Sequence, residues 1–564
     1  MDRELPNPYL NRKGIGELNP ENIWNINGLM ERLSGRNTVI CLFALIFIIG
    51  IGLRIHNLGK YGFWTDELFH VIGANSILEV GAPIVPGMLV YDRAYPYTKL
   101  ISVCFKYFGM NEIVARIPSV IFNLLFILIG YFSIRYLFNP YLALIFMTVM
   151  MLSPLEIIWA RECRMYALFQ LMYFAASILF IIGFEPSIIN NKFTNYRIFS
   201  GLEKKLDVNF LILSFSGFIF LLSIKIHRLV YNAVFVILFY CTVMIIISLI
   251  KRGGNSTVLS KYFLLILLFI VGGLVVIVRY PEYISGVSGF IDGKPFWDTR
   301  NLDYVYYLKY LFRDYPLLMM MYPAGVYIMI RKYGKIGIFM VCSFVPLMLL
   351  HCFIFVNNID ERYIFYIFPF FILCSASVIE LISSKFFMQI QDTFSAGKYY
   401  TSTLGVIFLL VFIGITGYPW VGHAMAITNH AVFDDWKSVE NELKAVSRDG
   451  IIVSTRRMPL FYYMGRNPDY VMIKNFETLI REQQKMKLKN KPLYLDVKWL
   501  FNRNELSDLV CSGDNIYFVL DRDSFDNPAF IDDDVRAFIL KEGELVKHDG
   551  DKKIIIYRMK HCIG

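Results

Sequence analysis

Residues 117–134 (IPSVIFNLLFILIGYFSI), 136–155 (YLFNPYLALIFMTVMMLSPL) and 165–184 (MYALFQLMYFAASILFIIGF) contain no ionised side chain, and only Arg135 and the turn from Glu156 to Arg164 interrupt them. A helix that crosses a bilayer needs roughly 20 mostly apolar residues and tolerates few charges. Three such intervals in succession place the chain among polytopic α-helical membrane proteins. Carried outward, the same criterion finds eleven charge-free intervals. They lie between Arg36 and Arg54, Arg116 and Arg135, Arg135 and Glu156, Arg164 and Glu185, Asp207 and Lys225, Arg228 and Lys251, Lys261 and Arg279, Asp314 and Arg331, Lys335 and Asp360, Arg362 and Glu380, and Lys398 and Asp434. Those of only 16 or 17 residues depend on snorkelling end residues or on protein neighbours.

Composition agrees with that class. Of 564 residues, 56% are hydrophobic, 16% aromatic and only 18% charged, with a mean hydropathy of +0.49. That leaves too little polar surface for several water-soluble cores. Low charge, 37 glycines without period and nine cysteines spread along the chain exclude disordered, collagen-like and disulfide-scaffold classes. The net charge of +10 arises before His423, where 34 Lys and Arg face 24 Asp and Glu; from His423 onward there are 22 of each.

Eleven spans put the termini on opposite faces. With residues 1–37 in the cytoplasm, the inner loops 251–261 and 331–335 are basic and free of acids, as the positive-inside rule expects. Residues 1–37 hold five basic and five acidic residues and no apolar core, unlike a signal peptide. Residues 38–433 form the transmembrane domain. Its two long outer loops are 55–115, with amphipathic periodicity at 68–80 and 100–108, and 279–314, rich in Tyr and Trp. Residues 434–564 are expected to form an extracytoplasmic α/β domain. Helical signals at Trp436 to Val446 and Asn475 to Lys487 alternate there with β-like runs at 450–454, 470–473, 515–520 and 553–557. Cys511 and Cys562 are its only cysteines and could pair if that face is oxidising. The sequence shows no internal repeat and no low-complexity tract.

On this topology ionisable residues gather on the outer face: Asp66 and Glu67 after the first span, then Arg93 and Lys99, Glu162 and Arg164, Lys225, His227 and Arg228, Arg279, and Asp360, Glu361 and Arg362. Charges at a membrane edge are costly, so their clustering points to one wet cavity. Each motif has a structural and a functional reading. In Phe63-Trp-Thr-Asp-Glu-Leu-Phe-His70, Thr65 caps a helix whose dipole favours the two acids, or a carboxylate accepts a proton from an attacking hydroxyl; the two are compatible. In the turn around Arg161 to Leu168, the arginines snorkel and pair with Glu162, or Arg164 binds phosphate with Glu162 orienting it. Lys225 and His227 anchor a membrane-edge loop or assist that phosphate, and Arg362 pairs with Glu361 or reaches the same anion. There is no Walker loop, dinucleotide fingerprint, Cys-x-x-Cys pair or His-Glu-x-x-His, and no nucleic-acid stripe.

Four fragments together resemble the type-C glycosyltransferases that use polyprenyl-phosphate sugars, and within them the protein O-mannosyltransferase and aminoarabinose-transferase-like branch. Phe63-Trp-Thr-Asp-Glu67 is similar to that group's acidic pair in the first outer loop. Arg161-Glu-Cys-Arg-Met-Tyr-Ala-Leu168 looks like its Arg-Glu-x-Arg-Met-Tyr turn, Ala115-Arg-Ile-Pro-Ser119 like the start of span two, and Glu361-Arg-Tyr363 with Pro369 like its late Arg-Tyr…Pro segment. The similarity covers roughly residues 38–422 in order and topology. The resemblance implies transfer of a sugar from a polyprenyl-phosphate donor to an acceptor hydroxyl or amine, on the extracytoplasmic face of the cell membrane and with inversion.

It further implies Asp66 as base with Glu67 as second choice, and Arg164, Lys225 and Arg362 on the donor phosphate. Glu162, His227, Tyr166 and Tyr363 would support them, with Tyr166 and Trp64 stacking on the sugar or simply packing. The acceptor is a glycan, a lipid or a protein, and the soluble domain caps the cavity or receives it. The residues call for no cofactor and leave a divalent metal open; many relatives carry a His motif where this chain has Arg93-Ala-Tyr-Pro-Tyr97. The competing readings are a transporter or flippase of a lipid-linked or anionic solute, and a non-catalytic relative whose soluble domain binds a partner.

Overall fold

The computed structural model describes residues 26–86, 89–188, 200–250, 256–279, 303–355, 359–394, 422–423, 426–427, 434–474, 497–511, 515–528, 530–548 and 553–560. The chain divides into two compact units, Met1–Ile48 with Leu381–Ile415, and Ile49–Glu380 with Thr416–Gly564. The first holds the start of helix α1 (Ile26–Ile55), where Phe43 and Phe47 stack at 5.9 Å, and the end of α15 (Phe368–Phe394). The second holds the remaining elements.

Its helices follow the apolar intervals. After α1 come α2 (Thr65–Val80), the hairpin β1 (Ile84–Val85) and β2 (Leu89–Val90), α3 (Tyr95–Phe108), α4 (Glu112–Leu137), α5 (Pro140–Leu152), α6 (Pro154–Ala160) and α7 (Tyr166–Phe184). Next are α8 (Ser200–Leu206), α9 (Phe210–Ile224), α10 (Asn232–Ile250), α11 (Ser256–Arg279), α12 (Tyr306–Asp314), α13 (Pro316–Cys342), α14 (Val345–Phe353) and α15. Short polar residues start them: the side chains of Asn111, Asn139, Ser153 and Asn209 accept N–H bonds at the starts of α4, α5, α6 and α9. The amphipathic stretches 68–80 and 100–108 are α2 and α3, packed on one another.

Five of the described helical stretches are long and apolar enough to cross a bilayer: Glu112–Leu137, Tyr166–Phe184, Arg228–Ile250, Pro316–Phe353 and Phe368–Lys385. The pair α5 and α6, bent by 60° at Ser153, makes a sixth if taken as one span. Cys41–Ile55, Phe210–Ile224 and Ser260–Val275 are shorter apolar helices. The architecture is thus a multi-pass helical membrane protein carrying a small C-terminal sheet. The stretch Pro316–Phe353 covers two sequence intervals, broken where Gly334 takes φ +54° in the left-handed region that only glycine enters freely. Most of loop 279–314, the interval Lys398 to Asp434 and the helical signal Asn475 to Lys487 lie outside the described residues.

Charges that bounded the intervals are largely paired inside. Glu185, fully buried past the end of α7, accepts hydrogen bonds from Lys261, Lys335, Tyr240 and Tyr262. Arg54 donates to Asn123 and to the carbonyls of Gly50, Met150 and Met151, while Asn123 and Gln170 hold Glu156. Unpaired, such groups would be prohibitive in an apolar interior.

The C-terminal part is a six-stranded sheet in the order β5-β4-β3-β6-β8-β7. Its strands are β3 (Ile451–Ser454), β4 (Tyr470–Met472), β5 (Lys498–Leu500), β6 (Ile516–Asp521), β7 (Gly543–His548) and β8 (Ile554–Met559). The first four run parallel and the last two antiparallel to their neighbours. On one face Trp436, Leu443 of α16 (Glu440–Asp449) and Leu460 of α17 (Arg457–Met464) pack against Ile452, Tyr517 and Ile556. On the other, Leu506 of α18 (Arg503–Val510), Phe525 of α19 (Arg522–Phe525) and Ile539 of α20 (Asp533–Glu542) pack against Val453, Phe518 and Met559. Strands β5 and β7 carried no sequence signal: one is three residues long, and the other is an edge strand that is largely exposed. Cys511 is disulfide-bonded, and its expected partner Cys562 lies outside the described residues.

Candidate active site

The start of α2 decides the geometry. Trp64, not Thr65, is the residue preceding the helix: its backbone is extended, and the Glu67 carboxylate three residues on accepts its N–H at 3.3 Å. This is half of a capping box, and it displaces the cap by one position from the sequence expectation. Asp66 and Glu67 follow in the first turn, but successive helical residues point about 100° apart, so the neighbours enter different surroundings.

Glu67 turns inward and is fully buried. Its Oε1 accepts from Arg116 Nε at 2.8 Å and from the Cys163 N–H at 2.6 Å, and its Oε2 from Arg116 NH2 at 2.7 Å. Arg116 also donates to the carbonyls of Leu58, Tyr61 and Gly62. With every oxygen and guanidinium arm engaged, this pair fastens the loop 58–67 and the turn at Cys163 to α4. Arg161 is similarly structural, donating to the carbonyls of Leu53, Arg54 and His56 at the end of α1.

Asp66 faces the opposite way and keeps 32% of its side chain exposed. Its Oδ2 accepts from Arg362 NH1 at 3.0 Å and lies 3.5 Å from Arg164 NH2, while Arg164 NH1 binds the Asp66 carbonyl at 2.6 Å. Burial pushes the Asp66 carboxyl up, but Arg164, Arg362 and Arg93 together outweigh it and hold the group below its ordinary value. Arg362 is set by a short turn, Glu361–Tyr363, in which Asp360 accepts the Arg362 N–H and pairs with its Nε at 3.2 Å. Tyr306 holds Glu361 at 2.6 Å, so the pairing of Arg362 with Glu361 weighed from sequence is replaced by Asp360 and Asp66.

Three polar groups beside these arginines are buried without a partner: Arg164 Nε, the Tyr166 hydroxyl and His227 Nε2. The rings of Tyr166 and His227 are 5.4 Å apart, and the Arg164 guanidinium lies 5.8 Å from the Tyr166 centroid. The Leu229 N–H donates to His227 Nδ1 at 3.1 Å, so a neutral His227 carries its proton on Nε2. Burial, followed by the charges of Arg93, Arg164 and Arg362, keeps that imidazole well below its usual value. Tyr363 stands against Arg362, with 5.3 Å from ring centroid to guanidinium.

Glu162 does not reach Arg164. Its Oε2 accepts from the Trp64 indole N–H at 2.6 Å, and burial with the adjacent Glu67 charge drives its carboxyl well above the usual range. Lys225 ends α9 exposed, with no hydrogen bond or ion pair to the cluster among the described residues. Arg93 and Tyr91, on the loop before α3, stand near Asp66 and Arg164 instead. Arg93 was visible among the outer-face charges, whereas Tyr91 carried no separate signal. Among the described residues, no three His, Cys, Asp or Glu side chains are grouped as a metal site; arginines surround Asp66.

The C-terminal domain closes on the segment leading to Asp66. The Gly62 N–H donates to Asp435 at 2.7 Å, the Phe63 N–H to the Tyr463 hydroxyl at 2.7 Å, and Lys437 pairs with Glu112 at 3.1 Å. The approach at Gly62 is so close that a Cβ there would lie 2.8 Å from the Lys437 backbone nitrogen.

This fold recurs in known structures. ArnT from Cupriavidus metallidurans, in the apo state, superposes with a TM-score of 0.56 over 93% of this chain and 98% of its own at 12% identity. The chain has the type-C glycosyltransferase fold. ArnT bound to undecaprenyl phosphate matches with a TM-score of 0.54 over the same shares, again at 12% identity. The archaeal oligosaccharyltransferase AglB from Archaeoglobus fulgidus, in complex with an inhibitory peptide and a dolichol-phosphate, gives 0.59 over 92% of this chain and 74% of its own, at 12% identity. No family model and no curated protein sequence matches the chain.

Proposed function

We propose that the protein is a membrane glycosyltransferase that moves a sugar from a polyprenyl-phosphate donor to an acceptor hydroxyl or amine on the extracytoplasmic face, with inversion. The carrying observation is the Asp66 carboxylate, partly exposed and braced by Arg362 at 3.0 Å and Arg164 at 3.5 Å, beside three unpartnered buried polar groups. Two arginines and a hydroxyl suit a phosphate. The carboxylate held between them, with part of its side chain open, is placed to accept a proton from an attacking hydroxyl.

The acceptor oxygen attacks the anomeric carbon in line with the departing phosphate. A carbon–oxygen bond forms to the acceptor as the carbon–phosphate-oxygen bond breaks. The acceptor proton passes to Asp66, and the polyprenyl phosphate leaves with the electron pair, its charge met by Arg164, Arg362 and Arg93. The leaving group is a weakly basic anion and needs no general acid. An incoming phosphate competes for the guanidinium N–H groups that Asp66 occupies, so donor binding frees the carboxylate and raises its basicity. Tyr166, Tyr363 and His227 line the sugar and phosphate.

The same reading takes eleven spans with residues 1–37 in the cytoplasm, the catalytic domain at 38–433, and residues 434–564 outside the cell. Basic inner loops and the gathering of the site at one end of α7 support it; Glu185 marks the other end, about 28 Å away along the helix. That both ArnT and AglB were solved with a polyprenyl-type lipid phosphate supports the donor class.

The test is reconstitution with a panel of synthetic polyprenyl-phosphate sugars, reading released polyprenyl phosphate and transferred sugar. Wild-type protein releases lipid phosphate and Asp66→Asn does not. Movement of an intact lipid-linked sugar across the bilayer without cleavage would replace this reading with transport.

A further inference from the structure

We propose that the acceptor is a saccharide, received in the crevice at the carboxyl ends of β3 and β6 and held there by Asp434 and Arg456; this rests on the glycosyltransferase reading above. β3 continues into α17 on one face of the sheet, whereas β6 continues into α19 on the opposite face. Adjacent parallel strands whose connections leave in opposite directions open a crevice beyond their carboxyl ends, the usual binding position in such sheets.

The residues at that edge are built for it. Arg456, just after β3, donates to Asp521 at the end of β6 through Nε at 2.8 Å and NH2 at 3.3 Å. Asp521 also accepts from the Thr455 hydroxyl at 3.2 Å and the Ser524 N–H at 2.9 Å. Asp521 is therefore fully used, and Arg456 is fixed in place.

Asp434 is different. It is half-buried beside both, yet among the described residues its carboxylate makes no hydrogen bond and no ion pair. Burial, followed by the Asp521 charge, pushes it up to about 7, so near neutrality it both donates and accepts. Such a group, next to a rigid guanidinium, matches the donor-and-acceptor hydroxyls of a sugar.

The crevice also opens where the reaction needs it. Asp435, the next residue, holds the N–H of Gly62, four residues before Asp66, and the Asp66 charge is felt at Arg456. An acceptor bound at Asp434 therefore lies within about 25 Å of Asp66, the reach of four extended residues plus the Asp434–Asp435 step and the Asp435–Gly62 bond.

The experiment uses the full chain in nanodiscs, with millimolar methyl glycosides of mannose, galactose, glucose and N-acetylglucosamine as probes. Hydrogen exchange is followed in 451–456 and 516–524, and undecaprenyl phosphate binding is measured separately by thermal shift. At least one glycoside slows exchange in both segments. Asp434→Ala, which breaks no existing bond, abolishes that protection, and Arg456→Lys weakens glycoside binding about tenfold, the loss of one good hydrogen bond; lipid binding is unchanged in both. With normal lipid binding, absence of protection from all four glycosides, or protection that survives Asp434→Ala, overturns the acceptor role alone. A wild-type protein that does not bind undecaprenyl phosphate overturns the transferase reading, and the acceptor role with it.

Discussion

Glu67 and Arg116 meet through two charge-assisted bonds of 2.7 and 2.8 Å, both side chains buried, while Asp66, one residue earlier, is left partly open between two other arginines. Two adjacent acids thus hold separate offices. Glu67→Gln leaves the buried Arg116 charge underpaired and should cost about 3–5 kcal/mol, seen as a large fall in thermal stability of the purified protein. A Glu67→Leu, Arg116→Met double variant should recover part of it. A single variant as stable as wild type would remove the structural role.

Asp66→Asn should behave in the opposite way. Transfer falls by about 10²–10⁴, the usual scale for a general base, while the protein still purifies folded and, having lost only a partly exposed ion pair, melts a little below wild type. Turnover within threefold of wild type would eliminate Asp66 as the base.

For the donor phosphate, Arg164→Gln should weaken undecaprenyl phosphate binding by about tenfold to a hundredfold, since hydrogen bonds to charged groups contribute roughly 1.5–3 kcal/mol. Arg93→Gln should loosen it by a smaller factor. Lys225→Gln should leave it unchanged, because its exposed side chain is tied to nothing in the cluster. Equal losses in all three would point to general attraction rather than a built site.

Acid sensitivity follows from the Asp66 environment. Its native carboxyl lies below the ordinary value because three arginines outweigh burial. The stability it contributes is therefore complete above the unfolded carboxylate value of about 3.9 and is lost as pH falls through the lower native value. The melting-temperature difference between wild type and Asp66→Asn should stay flat from pH 8 to about 5 and shrink only below about 4. A difference that disappears near pH 6 would contradict the arrangement.

Tyr463→Phe removes the acceptor of the Phe63 N–H and leaves a buried donor unmatched, at a cost of about 1–3 kcal/mol. Because that segment leads into Asp66, turnover should fall more than donor affinity. Equal loss of both would indicate general unfolding.

Much of this was legible in the sequence for a physical reason. A charge between two apolar runs is expensive, so Asp66, Arg164, Arg362 and His227 stood out, and the structure gathers them. Lys225 stood out equally, but sequence cannot tell a charge that turns into a site from one that snorkels outward. Arg116 read as a span boundary because its partner Glu67 is 49 residues away and invisible locally. In the C-terminal domain, where charges are common, nothing marked Asp434 or Arg456; only strand order sets them apart. The four inner strands showed as apolar runs, and the two edge strands, β5 and the largely exposed β7, did not.

Gly62 has a consequence for how this protein can change. Squeezed between Lys437 and Tyr463, it leaves no room for even one methyl group. Any larger residue would act as a wedge, prying the C-terminal domain from the chain that carries Asp66. Sequence drift in the two facing surfaces is therefore pinned at this seam, where a residue without a side chain is the one that fits.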